Sequence, residues 1–297
     1  MKISPFTPLF FDSAPYSDGV PSRYLQTWAT TDQIMVQIVA TASESKPAGE
    51  LRDAHTGETI AQIAFQQWQM NSDKKIYFFT LQGLSVGHYK IYIYDNVGRT
   101  LQVTSDEFRV TDDVEVLRRT ALFQYRFKDN KQREDVVSVI DHMEYFFDFR
   151  VPGGFKDSGW QFGVENEQFA TQYADLVELY ARDYLNKTFT LGGPEGVPVW
   201  YGEILNRLLT CSYVYIDGVR YARNESETPS MSTLVDGMDS FVFTQSLRKV
   251  QGIDPTIEAL NQISIRRVSG MDSGTLYDTN RTTLDNDNDA DNYVLIS

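Results

Sequence analysis

The sequence predicts a mainly β protein: an N-terminal immunoglobulin-like β-sandwich followed by an α+β domain with two amphipathic helices. Short runs of alternating apolar and polar residues, separated by Gly, Asp and Asn turns, predict the sandwich. Later runs with apolar residues at helical spacing predict the helices. We expect four parts, which are an extended arm (1–30), a β-sandwich domain (31–112), an α+β domain (113–270) and an acidic C-terminal tail (271–297).

The arm is a segment in which prolines interrupt a run of aromatic residues. Proline fixes φ and removes a backbone donor, so this composition favours an extended segment over a helix. Phe6, Phe10 and Phe11 lie in the arm, where no local helix or hairpin can bury them. We therefore expect residues 2–20 to pack against another domain or a neighbouring subunit, with Phe10 and Phe11 as the anchors.

The strand GHYKIYIY predicts the sandwich most clearly. Tyr89, Ile91 and Ile93 fall on one face of this strand, because side chains alternate with a period of two. Tyr92 and Tyr94 fall on the other face. We expect the first face to lie in the core and the second to form a tyrosine-bearing surface.

The α+β domain is predicted to open with strands and a helix. The segment MEYFFDFRV alternates as a strand does, and the Pro-Gly-Gly at 152–154 predicts a turn after it. Asn166 can cap a helix that begins at Glu167, since its side chain can accept from free amides of the first turn. The apolar residues at helical spacing in this helix are Phe169, Tyr173, Leu176, Val177 and Tyr180.

The remainder of the domain is predicted to contain short strands and a second helix. Thr188–Leu191 is predicted as a short strand closed by a glycine turn. Pro198 suits the first position of a helix, where its missing donor is not needed. The predicted buried side of that helix consists of Trp200, Ile204, Leu205 and Leu208. Asp217-Gly218 is a strong hairpin signal, and SFVFTQSLRKV predicts a later strand.

Charge and composition exclude several classes of protein. The chain has a net charge of −14, whereas general nucleic-acid binding needs a basic surface, so we expect no nucleic-acid partner. No run reaches the roughly 20 apolar residues of a membrane span, and the N-terminus lacks the pattern of a signal peptide. A single cysteine, Cys211, excludes an intrachain disulfide and suits a reducing compartment.

The sequence shows no catalytic motif. His55, His88 and His142 lie far apart and form no ligand pair with metal-binding spacing, so we expect neither a metal site nor a cofactor there. The glycines at 192–196 lack the Lys-Ser/Thr of a phosphate loop, which favours a plain turn. Cys211 has no base beside it, which favours a buried thiol over a nucleophile.

Carboxylate pairs have the residue types that a glycosidase needs for its acid and its base. Asp141 with Glu144, and Glu165 with Glu167, are examples of such pairs. The chain contains 41 acidic residues, so pairs of this kind arise by chance. We therefore expect no catalysis at them.

The acidic tail places Asp285, Asp287 and Asp289 at alternate positions. Alternating carboxylates can converge on Ca²⁺, although the glycine and the bidentate glutamate of a calcium loop are missing. A solvated tail is the favoured interpretation, and a calcium loop is the alternative. We expect the apolar end of the tail, with Leu295 and Ile296, to dock as the arm does.

Three sequence segments of the second domain resemble a known family. YFFDFRVPGGF, NEQFATQYADLVELYARDYLNKTFTLGGPEGVPVWYGEILNRLL and VYIDGVRYAR are similar to a virion protein family of Bacteroidetes phages and prophages, over roughly residues 120–250. The resemblance implies a structural role in the tail or neck of the particle and brings no catalytic motif. The layout also loosely resembles phage distal tail proteins, which form rings at the tail tip and carry an accessory β-domain.

Together these observations favour a non-enzymatic structural subunit of a bacteriophage particle, most plainly a tail or tail-tip ring component. We expect it to be made in the cytoplasm of a bacterial host and to contact copies of itself and other virion proteins. The alternative is a carbohydrate-binding module or glycan-active enzyme that binds a host-surface glycan through an aromatic β-sandwich face. Its candidates for sugar stacking are Trp28, Trp68, Tyr92 and Tyr94.

Overall fold

The protein is mainly β. Its structure, a computed structural model, describes residues 1–12, 24–141, 143–156, 160–224, 230–233 and 240–250. Within those residues there are twenty strands and two helices.

The N-terminal half contains ten strands and one short helix. The strands are β1 (Lys2–Ile3), β2 (Gln26–Ala29), β3 (Ile34–Thr41), β4 (Ala48–Asp53), β5 (Thr59–Ile63), β6 (Gln66–Gln69), β7 (Lys74–Leu81), β8 (Gly87–Tyr94), β9 (Leu101–Thr104) and β10 (Phe108–Thr111). The helix, α1 (Val114–Leu117), is capped by Asp113, whose side chain accepts from the N–H of Glu115.

The C-terminal half contains the other ten strands and a longer helix. They are β11 (Thr120–Arg126), β12 (Val139–Ile140), β13 (Met143–Glu144), β14 (Phe147–Phe155), β15 (Gln161–Ala170), β16 (Leu176–Leu191), α2 (Val199–Leu208), β17 (Tyr213–Ile216), β18 (Val219–Arg223), β19 (Ser230–Thr233) and β20 (Phe241–Lys249). Strands β12 and β13 pair only with each other in the described structure.

The N-terminal strands form two sheets. One has the order β1-β3-β7-β6, and the other has the order β2-β10-β8-β4-β5, with β9 added to β8. Strand β8 shows the predicted alternation: Tyr89, Ile91 and Ile93 are buried, and the side chains between them are half-buried on the outer face. The short strands predicted for this half are confirmed, and β3, β7, β8 and β10 each contribute buried apolar side chains to the core.

Strands of the C-terminal half form an antiparallel sheet in the order β15-β16-β14-β11-β17-β18-β20-β19. Because β20 also pairs with β16, six strands close into a ring of hydrogen-bonded neighbours, here called the strand ring (β16, β14, β11, β17, β18 and β20). Closing the ring gives both β16 and β20 a partner on each side where they pair, so neither is an edge strand there.

Helix α2 packs its apolar side against the strand ring. The ring of Tyr201 stacks on Phe149 of β14, with centroids 5.2 Å apart. A Cβ on Gly202 would lie 2.4 Å from the ring of Phe243 on β20, so a glycine allows this close approach. The second predicted helix and its buried residues are confirmed, and Pro198 is its N-cap rather than its first residue.

Buried polar contacts join the two halves. Arg150 of β14 binds Asp32 through two bonds, Nε to Oδ2 at 2.6 Å and Nη2 to Oδ1 at 2.7 Å. On the same strand the buried Asp148 accepts from the backbone N–H of Gln33 and from the side-chain amide of Gln124. Buried carboxylates need such partners because their desolvation is costly. These contacts hold β14 against the N-terminal half.

The first twelve residues lie inside the fold. Strand β1 pairs with β3, and Phe11 forms a bridge with Ser105. Phe6, Phe10 and Phe11 are at most 2 % exposed, and Phe10 lies against Trp200 with ring centroids 4.8 Å apart. Of the two expected partners, the rest of the same chain is the one observed. These side chains therefore do not form an exposed anchor for a neighbouring subunit.

The first predicted helix is wrong. The stretch after Glu167 belongs to two antiparallel strands, β15 and β16, joined by a turn in which Thr171 and Asp175 are hydrogen-bonded. The last part of β16 pairs with β14 and β20, which sets its backbone as a strand, and β15 pairs along the rest of it. The stretch predicted as a helix therefore pairs with itself across this turn, and only the continuation of β16 from Asn186 is held by β14 and β20.

The turn predicted at 152–154 is also wrong. Strand β14 continues through this segment to Phe155 and pairs Gly153 with Leu191. Gly153 has φ +130°, and a Cβ there would lie 2.1 Å from the carbonyl oxygen of Thr190. The glycine therefore serves a close approach of two strands rather than a reversal of the chain.

The Asp217-Gly218 turn is confirmed. It joins β17 to β18, and its two residues have φ of 48° and 82°. A type I′ turn requires a positive φ at both positions, which explains why this dipeptide is such a specific signal. The predicted strand SFVFTQSLRKV is confirmed as β20.

Candidate functional site

A hairpin made by β15 and β16 carries much of the exposed apolar surface. Of the sixteen large apolar side chains that are exposed in the described residues, eight lie between residues 160 and 185, which we call the hairpin arm. They are Trp160, Phe162, Val164, Phe169, Tyr173, Leu176, Leu179 and Tyr180. The exposed apolar side chains of the described residues are thus concentrated on this hairpin, whereas soluble single-chain proteins rarely expose large contiguous apolar patches.

The hairpin arm extends beyond the strand ring because most of it has no further partner strand. From Asn186 to Leu191, β16 pairs with β14, β20 or both, but from Leu176 to Leu185 its partner among the described residues is β15. Ten cross-strand pairs join β15 to β16, which at a rise of about 3.4 Å per residue makes the arm about 34 Å long. Two faces and two strand edges are therefore open to other molecules.

One face of the arm continues the core side of the sheet. Phe162 pairs with Leu185, and Val164 pairs with Asp183, so these four side chains share a face. By the alternation of a strand, this is also the face of Phe189, which is buried in the core. The apolar face therefore extends beyond the part that other described residues cover. On this extension Phe162 is 77 % exposed and Val164 is 60 % exposed.

The opposite face is braced at its base. Tyr184 pairs with Gly163, and its ring fills the space that a Cβ would need, since that Cβ would lie 2.3 Å from the ring. The guanidinium of Arg248 on β20 lies 4.3 Å from the centre of the same ring and 3.4 Å from the carboxylate of Glu165. These contacts fix the direction in which the arm leaves the strand ring.

The hairpin arm is also acidic. It contains five carboxylates and one arginine, a net charge of −4. The acidic residues are Glu165, Glu167, Asp175, Glu178 and Asp183. Like charges at this density oppose the association of two arms with each other.

A cleft of about 720 Å³ lies where α1 and the loop before α2 meet β2, β10 and β14. Its charged lining consists of Arg109, Arg119, Arg150, Glu115 and Glu195. Arg150 is already bound to Asp32, and Arg109 donates to the hydroxyl of Thr27 at 3.1 Å. The chemistry of this lining suits an anionic group, although two of its three cations have partners within the chain.

The four aromatic residues expected to stack on sugars do not form one platform. Trp28 is fully buried, and Trp68 lies on β6, in a different sheet from the two tyrosines. Tyr92 and Tyr94 are neighbours on the outer face of β8. Arg52 lies 4.6 Å over the ring of Tyr92 and donates to the hydroxyl of Tyr94 at 2.9 Å. Of the candidates, the structure brings together these two alone.

The structure describes the surroundings of three of the groups considered for catalysis, Cys211, Glu144 and Glu165. Burial raises the pKa of the Cys211 thiol, which keeps it protonated and unreactive near neutral pH. Glu144 forms an ion pair with Arg126, and Glu165 lies on the hairpin arm. The glycines at 192–196 form a turn before α2, as expected.

The structure brings together two histidines that the sequence separates. His55, His88 and Glu107 offer ligand atoms that all lie within 4.8 Å of one another. The sequence spacing of these histidines gives no ligand pair, and their proximity arises only in the folded chain. No local signal reveals the grouping, because it depends on β4 pairing with β8 across three intervening strands. His142 lies outside the described residues.

The C-terminal tail lies outside the described residues. Asp285, Asp287 and Asp289 therefore stay a predicted alternative for Ca²⁺. Leu295 and Ile296 stay predicted docking residues.

In the part of the chain that the structure describes, neither helix has the length and apolarity to cross a bilayer. The chain matches no protein-family model, no curated protein and no solved structure.

Proposed function

We propose that this chain is a structural subunit of a bacteriophage particle, a tail or tail-tip ring component that acts through protein–protein contacts. The observation that carries the proposal is the hairpin arm, an acidic and aromatic two-stranded extension whose core-side face the other described residues leave uncovered. The phage assignment is supported by the resemblance of the second domain to virion proteins.

The dimensions of the hairpin arm favour a partner that covers both of its faces. A two-stranded ribbon about 34 Å long and about 10 Å wide presents roughly 340 Å² on each face. Stable interfaces bury about 800 Å² on each partner, so one face alone is too small. The two faces together, with the additional area of their projecting side chains, approach about 800 Å². The arm therefore suits insertion between elements of a neighbouring molecule rather than contact on one side.

The partner we propose is the body of a second copy of this chain. The charge of −4 on the arm disfavours a symmetric arm-to-arm dimer, because like charges would face each other. An arm-to-body contact joins two different surfaces of the same protein. Repeated around an axis, such a contact closes a ring, the geometry expected of a tail component.

The N-terminal half has a place in the same proposal. We propose that its two sheets are the immunoglobulin-like sandwich of an accessory domain and that the strand ring with α2 is the assembly module. The closed ring and the buried Arg150–Asp32 pair give the arm a rigid base, which reduces the entropy lost when the arm docks.

The test is the oligomeric state of the full chain and of matched arm variants. We expect the wild-type protein to form discrete oligomers between about 1 and 100 µM, measured by light scattering after size-exclusion chromatography and by electron microscopy. The double variant Phe162→Ser with Val164→Ser should be monomeric, and its unfolding midpoint should equal that of the wild type at a concentration that keeps both proteins monomeric. Asn166→Ser with Gln168→Ser, on the same face, is the control and should assemble normally.

Two results would contradict the proposal. One is a wild-type chain that stays monomeric throughout this range. The other is an arm double variant that assembles as well as the control.

A further inference from the structure

Three side chains with metal-binding chemistry meet on the outer face of the sandwich. The potential ligand atoms of His55, His88 and Glu107 lie within 4.8 Å of one another. The two imidazole rings have centroids 4.7 Å apart, and Nδ1 of His88 lies 2.6 Å from Oε1 of Glu107. His55 is exposed and the other two are half-buried, so the group can be reached from solvent.

Backbone contacts hold the three residues at this place. The turn after β4 carries His55, and Asp53 Oδ1 accepts from the N–H of His55 at 2.8 Å. The next residue of the strand end, Ala54, donates its N–H to the carbonyl of His88 at 2.9 Å. Strand β10 is antiparallel to β8, and this register places Glu107 diagonally from His88 on the same face. The proximity therefore follows from strand pairing and not from flexible side chains alone.

The spacing suits a tetrahedral ion after small side-chain rotations. Ligands bound to zinc at about 2.0–2.1 Å lie about 3.3 Å from each other. To reach this spacing, the widest separation between two of the ligand atoms must shorten by about 1.5 Å. The 2.6 Å distance between Nδ1 of His88 and Oε1 of Glu107 must lengthen by less than 1 Å. Rotations of this size are available to side chains that face solvent.

The donor set selects the class of ion. Ca²⁺ and Mg²⁺ prefer oxygen ligands throughout, whereas two imidazoles with one carboxylate suit Zn²⁺ and similar divalent transition ions. The nearest arginine in the register, Arg109, donates to Thr27 and is thereby directed toward β2. We propose that His55, His88 and Glu107 bind one Zn²⁺ ion, with the fourth position open to water or to a group from another molecule.

The probe is Zn²⁺ alone, added to the full chain after tag removal and treatment with a chelator. We expect calorimetry to show one ion per chain with a dissociation constant on the order of micromolar. His55→Ala and His88→Ala should each weaken binding at least about tenfold, since even second-shell changes have effects of this size. Replacing Zn²⁺ by Co²⁺ should give visible bands without a thiolate charge-transfer band, because no sulfur is involved.

Two control variants separate this site from other donors in the chain. His142→Ala removes the third histidine, and Cys211→Ser removes the single thiol; both should bind Zn²⁺ as the wild type does. Thermal unfolding without metal should be the same for all variants, which excludes a loss of fold.

The proposal is overturned if the wild type shows no saturable binding below about 100 µM. It is overturned equally if His55→Ala binds as the wild type does, since His88 and Glu107 would then be a simple ion pair. Oligomerisation is not needed for this test, so its outcome is independent of the proposed assembly role.

Discussion

The strand ring and the hairpin arm belong to one sheet, yet phenylalanine side chains are buried in the ring and exposed in the arm. In the ring, Phe123 and Phe189 are fully buried, whereas in the arm Phe162 is 77 % exposed. The strand β16 runs through both regions, so the difference does not come from local sequence. It comes from the second layer: among the described residues, α2 and the N-terminal half pack against the ring, whereas neither packs against the arm.

The polar contacts of the two regions differ in the same way. Arg150 and Asp32 meet in the junction with side chains 12 % and 1 % exposed. Arg248 and Glu165 meet at the base of the arm, where the carboxylate is about half exposed. A buried pair is costly to break, and an exposed pair contributes little. The comparison predicts that the ring determines stability and that the arm determines association.

The largest effect is expected from the N-terminal segment. Deleting residues 2–12 removes three buried phenylalanines, the pairing of β1, and the bond from the hydroxyl of Tyr125 to the carbonyl of Phe6. We expect loss of cooperative unfolding, measured by circular dichroism and calorimetry. Replacing residues 166–181 by Asn-Gly shortens the arm by a similar length and should leave the fold intact. A deletion variant that unfolds at the wild-type midpoint would refute this role.

The second prediction compares one substitution in the two regions. Phe123→Ala should lower the free energy of unfolding by about 3–5 kcal/mol, because it opens a cavity in a packed core. Phe162→Ala in the arm should change it by less than about 0.5 kcal/mol. Denaturant titration of both variants at a concentration that keeps them monomeric measures the difference. Equal effects would mean that the arm is buried within the monomer.

The third prediction compares the two ion pairs. Arg150→Ala leaves the buried carboxylate of Asp32 without its cation and should lower stability by about 3 kcal/mol. Arg248→Ala should lower it by at most about 1 kcal/mol, since Glu165 can be solvated. Denaturant titrations at low and moderate salt provide the measurement. A stability loss at Arg150 no larger than that at Arg248 would contradict a buried junction.

The fourth prediction concerns two neighbouring glycines in β14. Gly153→Ala should lower stability by about 2–3 kcal/mol, because its φ is +130° and the new Cβ would meet the carbonyl of Thr190. Gly154→Ala should be close to neutral, since a Cβ there meets nothing within 4 Å. Equal unfolding midpoints of the two variants would show that β14 and β16 do not approach as closely as described.

The smallest effect appears only at alkaline pH. Burial, and then the charge of Asp217, raise the pKa of Tyr221 to about 12. An unfolded tyrosine ionises near pH 10, so the unfolded state loses its proton first and stability falls as pH rises from about 10 to 12. Tyr221→Phe should flatten this decline. Unfolding midpoints of the wild type and of this variant, measured across this range, test the prediction, and equal slopes would contradict it.

The part of the fold that could be predicted is the part with local causes. Alternation on β8, the type I′ turn at Asp217-Gly218, and helix α2 after Pro198 were predicted because each depends on neighbours in sequence. The helix expected from Glu167 is wrong because its residues form a hairpin and pair across a local turn, and the strand that continues from it pairs with β14 and β20. Of the candidate site residues, Phe6, Phe10 and Phe11 were expected as interface anchors, and the structure buries them within the chain itself.

The sequence by itself determined which segments alternate as strands, where the tight hairpin turns, and that the N-terminal aromatic residues need a partner. Tertiary structure alone decided that β16 closes the strand ring with β20 and that His55 lies beside His88. It also decided that the arm extends from the ring with its apolar side chains exposed in the described structure. The physical reason is the distance along the chain over which each kind of interaction acts. Side-chain period and turn chemistry act over a few residues, whereas pairing between distant strands depends on which surfaces the whole chain can bury together.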